Sequence, residues 1–138
     1  MTARWLIDKS ALTRVGKPIV SEVLVPRIDS GLVAISIVTE LEVGFSARST
    51  RDHDDILALL GRLIPVVVPV HAEQMARDLQ RGLVERGQHR AVAVPDLLVA
   101  ATAQAAGLTV LHYDRDFDLI ANITLQRAEW VVEAGAAD

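Results

Sequence analysis

Four short apolar runs recur along the chain, each rich in branched residues: RWLID (Arg4 to Asp8), LVAIS (Leu32 to Ser36), LIPVVV (Leu63 to Val68) and LTVLHY (Leu108 to Tyr113). Runs of this length and composition read as strands buried on both faces of a sheet. Between them the apolar positions change to helical spacing. In HAEQMARDLQRGLVERG, the residues Ala72, Met75, Ala76, Leu79 and Leu83 share one face, and Gly87 is the stop. In DHDDILALLGRL an acidic first turn precedes a broad face of Ile56, Leu57, Leu59, Leu60 and Leu63. PDLLVAATAQAAG opens on Pro95 and stops at Gly107, and IVTELEVGFSA follows Ser36, which can cap it. KPIVSEVLVPRIDSG is helical in pattern toward Gly31, but Pro26 is expected to kink or end it. The last segment predicts a short edge strand around Gln126 to Val131. A tail expected to fray follows, from about residue 133 to Gly135 onward.

Strands alternating with helices require crossover connections, hence a mostly parallel central sheet flanked by helices, a three-layer α/β arrangement. There is no internal repeat or linker, and 138 residues with 51% hydrophobic content suit one domain spanning 1–138. In such sheets the ligand site lies beyond the carboxyl ends of the strands.

Composition narrows the chemistry. With no cysteine there is no thiolate nucleophile or thiolate zinc site, leaving carboxylates and four histidines as ligands, so any metal should be a hard one. The net charge of -4 argues against a domain that holds nucleic acid by bulk electrostatics. The longest apolar run, Leu63 to Val70, is too short to cross a bilayer, and MTARWLIDKS lacks the apolar core of a signal peptide. A soluble, cytoplasmic protein is expected.

The acids fall where the fold predicts a site. Asp8 closes the first strand, and Glu40 lies in the early turns of the helix after the second. Asp96 opens the PDLLVAA helix, and Asp114 and Asp116 follow the LTVLHY strand. Each taken singly also fits a cap or turn. Caps do not predict that acids recur after the first, second and fourth strands. Gathered carboxylates repel one another unless a cation sits among them, and oxygen-only ligands suit Mg²⁺ or Mn²⁺. Such an ion can acidify a water and brace in-line attack on a phosphodiester, which makes metal-dependent phosphodiester hydrolysis the implied chemistry. Glu42 is the alternative to Glu40. The two are about 200° apart on a helix, so one of them faces the cleft. Thr39-x-x-Glu42 fits a capping box, and Gly44 one turn after Glu40 would leave room on that face, so Glu40 is expected in the cleft.

In this order and spacing the residues resemble a PIN domain, and more closely a VapC-type toxin of a toxin-antitoxin pair. Asp8 and Ser10 match the family's Asp-x-Ser/Thr at the end of the first strand. Glu40 and Gly44 match its Glu four residues before a Gly, Asp96 its Asp opening an Ala-rich helix, and Asp114, Asp116 and Phe117 its Asp-x-Asp-Phe. The resemblance implies a Mg²⁺- or Mn²⁺-dependent endoribonuclease, often cutting structured RNA such as tRNA, that forms a homodimer and is silenced by a cognate VapB antitoxin. It implies that Asp8, Glu40, Asp96 and Asp114 form the metal-binding cluster, with Asp116 as an accessory ligand and Ser10 orienting a ligand or a water.

Two other readings compete. A Mg²⁺-dependent phosphotransfer domain also gathers acids at strand ends, but the first motif, Asp8-Lys9-Ser10, lacks a second aspartate and LIPVVVPV offers none to phosphorylate. A PIN fold that only binds RNA or protein has no use for so many carboxylates, which repel RNA. Of the remaining residues, Arg48, Arg51 and the stretch Arg86 to Arg90 could meet phosphates at the rim. Trp5 and Trp130 read as core or interface anchors, His112 and His89 as structural, and Tyr113 as a base-stacking candidate. Val20, Val23, Leu24 and Ile28 are expected to contribute to the dimer surface.

Overall fold

A computed structural model describes residues 2–138. Five strands form one sheet: β1 (Trp5–Ile7), β2 (Val33–Ser36), β3 (Ile64–Val66), β4 (Thr109–His112) and β5 (Ala128–Trp130). Their order is β3-β2-β1-β4-β5, and every neighbouring pair is parallel. Seven helices are described: α1 (Lys9–Leu12), α2 (Pro18–Asp29), α3 (Ile37–Phe45), α4 (Thr50–Leu60), α5 (Val70–Glu85), α6 (Val94–Ala106) and α7 (Asp116–Ala121).

The side-chain alternation of the strands divides the core into two layers. Ile7, Val33, Ile35 and Leu111 face one way, onto Val20, Leu24 and Ile28 of α2 and Leu60 of α4. Leu6, Ala34 and Val110 face the other way, onto Leu79 and Leu83 of α5, Val99, Ala100 and Ala103 of α6, and Phe117 of α7. The central strands are therefore buried on both faces, as their unbroken apolar runs require. All the strands point the same way, so their carboxyl ends share one edge of the sheet.

Four expectations change. The run at Leu63 to Val68 becomes β3, an edge strand with Ile64 exposed and Val67 outside the ladder, rather than a strand covered on both faces. Pro26 does not end α2, which continues to Asp29; Pro26 and Glu22, whose carbonyl loses its partner, are both on the exposed side near the end of the helix. Val20, Leu24 and Ile28 are packed against the sheet and have no surface to offer a partner. The tail does not fray. Ala137 is buried, its carbonyl accepts a hydrogen bond from Arg14 Nε at 3.1 Å, and its amide donates to the Tyr113 hydroxyl at 2.9 Å.

Candidate active site

Asp8 is the last residue before α1, and its two carboxylate oxygens do different work. Oδ2 accepts from Ser10 N at 3.0 Å and from Ser10 Oγ at 2.6 Å, which caps the short helix. Oδ1 is buried with no hydrogen-bond partner among the described residues. The cap and the candidate ligand are thus the same side chain. Ser10 Oγ in turn accepts from Tyr113 N at 2.8 Å, tying the end of β1 to the end of β4.

Asp96 lies in the first turn of α6, where Pro95 supplies the fixed φ of a helix start. It is 2% exposed, and its Oδ2 also lacks a partner among the described residues. Asp114 and Asp116 come from the turn between β4 and α7. Asp114 Oδ1 accepts from Asp116 N at 2.9 Å, and Asp116 Oδ2 accepts from Ala93 N at 3.0 Å, holding the loop that leads into α6. Ligand atoms of Asp96, Asp114 and Asp116 lie within 4.8 Å of one another, the spacing of groups that share one ion. Asp8 stands beside this trio rather than within it, close enough for its charge to be felt at Asp96.

Burial and mutual repulsion govern the protonation of these acids. Loss of solvation is the largest influence on Asp8 and raises its pKa, against the lowering effect of its two bonds from Ser10. Asp96 is pushed up to about 9, first by burial, then by a hydrogen bond with Asp116 and the charges of Asp8 and Asp114. Asp114 is raised as well, chiefly by burial. A cation among them would favour the charged carboxylates and oppose these shifts.

The third helix corrects the choice of glutamate. Glu42, not Glu40, faces the cluster: Lys9 Nζ lies 3.2 Å from Glu42 Oε2, and the Glu42 charge acts on Asp8. Glu42 Oε1 is buried without a partner among the described residues. The helix is set by Thr39, fully buried with its hydroxyl 3.4 Å from the Ile7 carbonyl, and by Val43 in the core, so position 42 swings toward β1. Gly44 does leave room, but for His53 of α4, whose Nε2 would lie 3.4 Å from a Cβ at that position. Glu40, one turn before Gly44 on the same side of the helix, goes with that face.

Sequence reasoning passed over Lys9, which sits between the two motif residues Asp8 and Ser10. Its ion pair with Glu42 is the first cause of its raised pKa. It is a cation at the mouth of an anionic cleft. The other tempting residues stand apart. His112 is fully buried between Phe117 and Trp130, at centroid distances of 4.9 and 5.0 Å, and burial lowers its pKa to about 4. Its Nδ1 accepts from Asp114 N at 3.1 Å, so it shapes the turn and offers no charge. Tyr113 is buried and has no free face for a base. The guanidinium groups of Arg4 and Arg27 lie 5.1 and 4.1 Å from the centre of the Trp5 ring, and Trp130 donates to Asp118 at 3.1 Å. Arg48, Arg51, His89 and Arg90 are exposed.

Two open clefts adjoin the acids. One, of about 360 Å³, is lined by Arg14, Tyr113, Asp114, Arg115 and Trp130. The other, of about 350 Å³, is lined by Lys9, Leu41, Glu42 and Phe45. An acidic groove at the carboxyl edge of an all-parallel sheet, with cations at its rim, is suited to a phosphodiester and a divalent ion.

A family model described as PIN domain matches residues 6–123. The chain belongs to the PIN-domain family. Within that family, a Ribonuclease VapC21 of Mycobacterium tuberculosis is 43% identical over 138 residues, covering 99% of this chain and 100% of the relative. Ribonuclease VapC51 of the same organism is 38% identical, covering 100% of both chains, and Ribonuclease VapC2 is 46% identical over 91% of each. These relatives put the chain in the VapC branch of the PIN domains. Among solved structures, a DNA-bound VapBC from Salmonella typhimurium matches with a TM-score of 0.78 at 20% identity, over 94% of this chain and 99% of that one. VapBC-5 from Mycobacterium tuberculosis matches at 0.65 and 23% identity, over 91% and 97%. Both share the PIN fold. Among the described residues, no helix is long and apolar enough to cross a membrane.

Proposed function

We propose that this VapC-branch PIN domain is a Mg²⁺- or Mn²⁺-dependent endoribonuclease toxin that acts in the cytoplasm on tRNA or other structured RNA and is silenced by a cognate VapB-type antitoxin. The observation that carries the reading is the set of buried, unpartnered oxygens on Asp8, Asp96 and Glu42 beside the Asp96, Asp114 and Asp116 trio. An unpaired buried carboxylate oxygen is costly, and a hard cation satisfies several at once. The names of the relatives support RNA as the substrate.

The residues fit such an ion. Asp8, Asp96 and Asp114 would hold it, with Asp116 as accessory ligand and Glu42 in the role first given to Glu40. When bound, Mg²⁺ or Mn²⁺ supplies Lewis-acid polarisation of the phosphodiester and a more acidic water. The chain's own part is positioning. Ser10 holds Asp8 through Oδ2 and leaves Oδ1 unpartnered, and the bond from Ala93 N to Asp116 keeps the two acidic loops in register. Lys9 stands where an incoming phosphate would meet a cation, and its pairing with Glu42 restrains it there. Nothing in this scheme requires a covalent enzyme intermediate.

The test is cleavage of a small-RNA pool by protein freed of antitoxin, with Mg²⁺, with Mn²⁺ and with EDTA. Discrete fragments that need the divalent ion are expected; fragments that persist in EDTA would overturn the reading.

Assembly follows from the exposed apolar residues. Ile37, Leu41 and Phe45 stand at four-residue spacing along α3, Phe45 being 93% exposed, and Leu41 and Phe45 border the cleft of Lys9 and Glu42. The antitoxin is assigned to this stripe, where one segment can bury Phe45 and block the groove. The solved VapBC complexes support a partner of this kind. The homodimer surface is then elsewhere. Replacing Phe45 with Ala is expected to weaken inhibition by antitoxin at least tenfold, well beyond any change it makes in RNA cleavage, since buried aromatic anchors dominate such interfaces. Undiminished inhibition would remove the stripe from the interface.

A further inference from the structure

A closed circuit of hydrogen bonds lies behind the acids, in the wall of the cleft lined by Arg14 and Tyr113. The Tyr113 hydroxyl accepts from Gly135 N at 2.8 Å and from Ala137 N at 2.9 Å, and donates to Asp138 Oδ1 at 2.7 Å. That uses its one proton and both acceptor positions. Arg14 Nε donates to the Ala137 carbonyl at 3.1 Å, Arg14 Nη1 donates to the Ser10 carbonyl at 2.8 Å, and the guanidinium lies 4.5 Å from the centre of the Tyr113 ring. Lys17 Nζ adds a bond to the Asp138 carbonyl at 3.0 Å.

The circuit ends on two of the proposed ligands. Ser10, held by Arg14 through its carbonyl and by Tyr113 N through its hydroxyl, fixes Asp8. Tyr113 immediately precedes Asp114. We infer that Arg14, Tyr113 and the strap Gly135 to Asp138 are a positioning brace that presets Asp8 and Asp114 for the divalent ion. The inference rests on the metal-dependent reading above. Tightly satisfied polar networks of this kind hold ligand rotamers, and partners behind the ligands set metal affinity by 10–100-fold in known sites. The strap contributes few other contacts that could explain its order: Ala137 alone is buried, and Gly135, Ala136 and Asp138 are exposed.

The experiment is a calorimetric Mn²⁺ titration of the wild type, Tyr113→Phe, a variant lacking residues 135–138, and Val20→Ala. Val20 is fully buried under α2 in the same apolar layer as Tyr113 and Ala137, but its side chain makes no hydrogen bond of the circuit, so it controls for lost packing and stability alone. The brace predicts Mn²⁺ binding about tenfold weaker in Tyr113→Phe and in the shortened chain and unchanged in Val20→Ala, with kcat at limiting Mn²⁺ reduced in the first two and the KM for RNA unchanged in Tyr113→Phe. Folded Tyr113→Phe and shortened proteins that bind Mn²⁺ like the wild type would overturn the brace while leaving the metal reading intact. Equal weakening in Val20→Ala would also overturn it, since loss of stability would then suffice. A wild type that binds no Mn²⁺ would overturn the metal reading, and the brace with it.

Discussion

Asp96→Asn is expected to abolish RNA cleavage and, in the metal-free protein, to raise stability at neutral pH. The activity loss should exceed ~100-fold, more than is typical of residues behind a metal's direct ligands. The stability gain follows from the sign of the Asp96 shift. Burial and neighbouring carboxylates raise its pKa in the fold to about 9, from an ordinary value of 3.8. The folded metal-free state therefore holds a proton that the unfolded chain releases, and stability falls as pH rises from about 4 toward 9. At pH 7 most of that loss has accrued, and asparagine, which does not titrate, avoids it. Because Asp96 is buried, the gain should be on the order of 2 kcal/mol at pH 7 and should vanish near pH 4. Denaturant unfolding in EDTA across that range checks it; a variant less stable than the wild type at pH 7 would mean that Asp96 is a structural cap and not a strained ligand.

Glu42→Gln and Glu40→Gln are expected to separate cleanly. Glu42 carries a buried unpartnered oxygen, acts on Asp8 and pairs with Lys9 at 3.2 Å, so its loss should lower cleavage by ~100-fold. Glu40 lies on the Gly44 side of α3, toward α4, and its replacement should change the rate by no more than about twofold, as for an ordinary surface position. Single-turnover cleavage with both variants checks this. The reverse ranking would restore Glu40 to the site.

That pair of residues also shows where reading the chain stops. A helical wheel separates positions 40 and 42 but does not say which faces the sheet edge. The open side of Gly44 is taken by His53, a contact between helices that no local pattern contains. Asp8, Asp96, Asp114 and Asp116 were legible because each stands at the end of a strand or the start of a helix, and parallel strands bring such positions to one edge. The central strands were legible for a similar reason: burial on both faces leaves an unbroken run of branched residues in β1, β2 and β4. β3 has a similar run but lies at the sheet's border, and edge position is a property of the strand order rather than of the strand. The tail resembles a frayed end because its order depends on Tyr113 and on Arg14, the latter 123 positions from the Ala137 it holds. Val20, Leu24 and Ile28 were legible as apolar but not as inward-facing, since an apolar helix face serves a core or a partner equally well.

The most direct test of the acidic cluster as a metal site is a crystal soaked in Mn²⁺ and measured for anomalous scattering. The account predicts a single strong peak within coordination distance of Asp8, Asp96 and Asp114, with Asp116 and Glu42 reached directly or through water. A crystal saturated with Mn²⁺ that shows no peak there, or shows the ion only elsewhere on the chain, would contradict it.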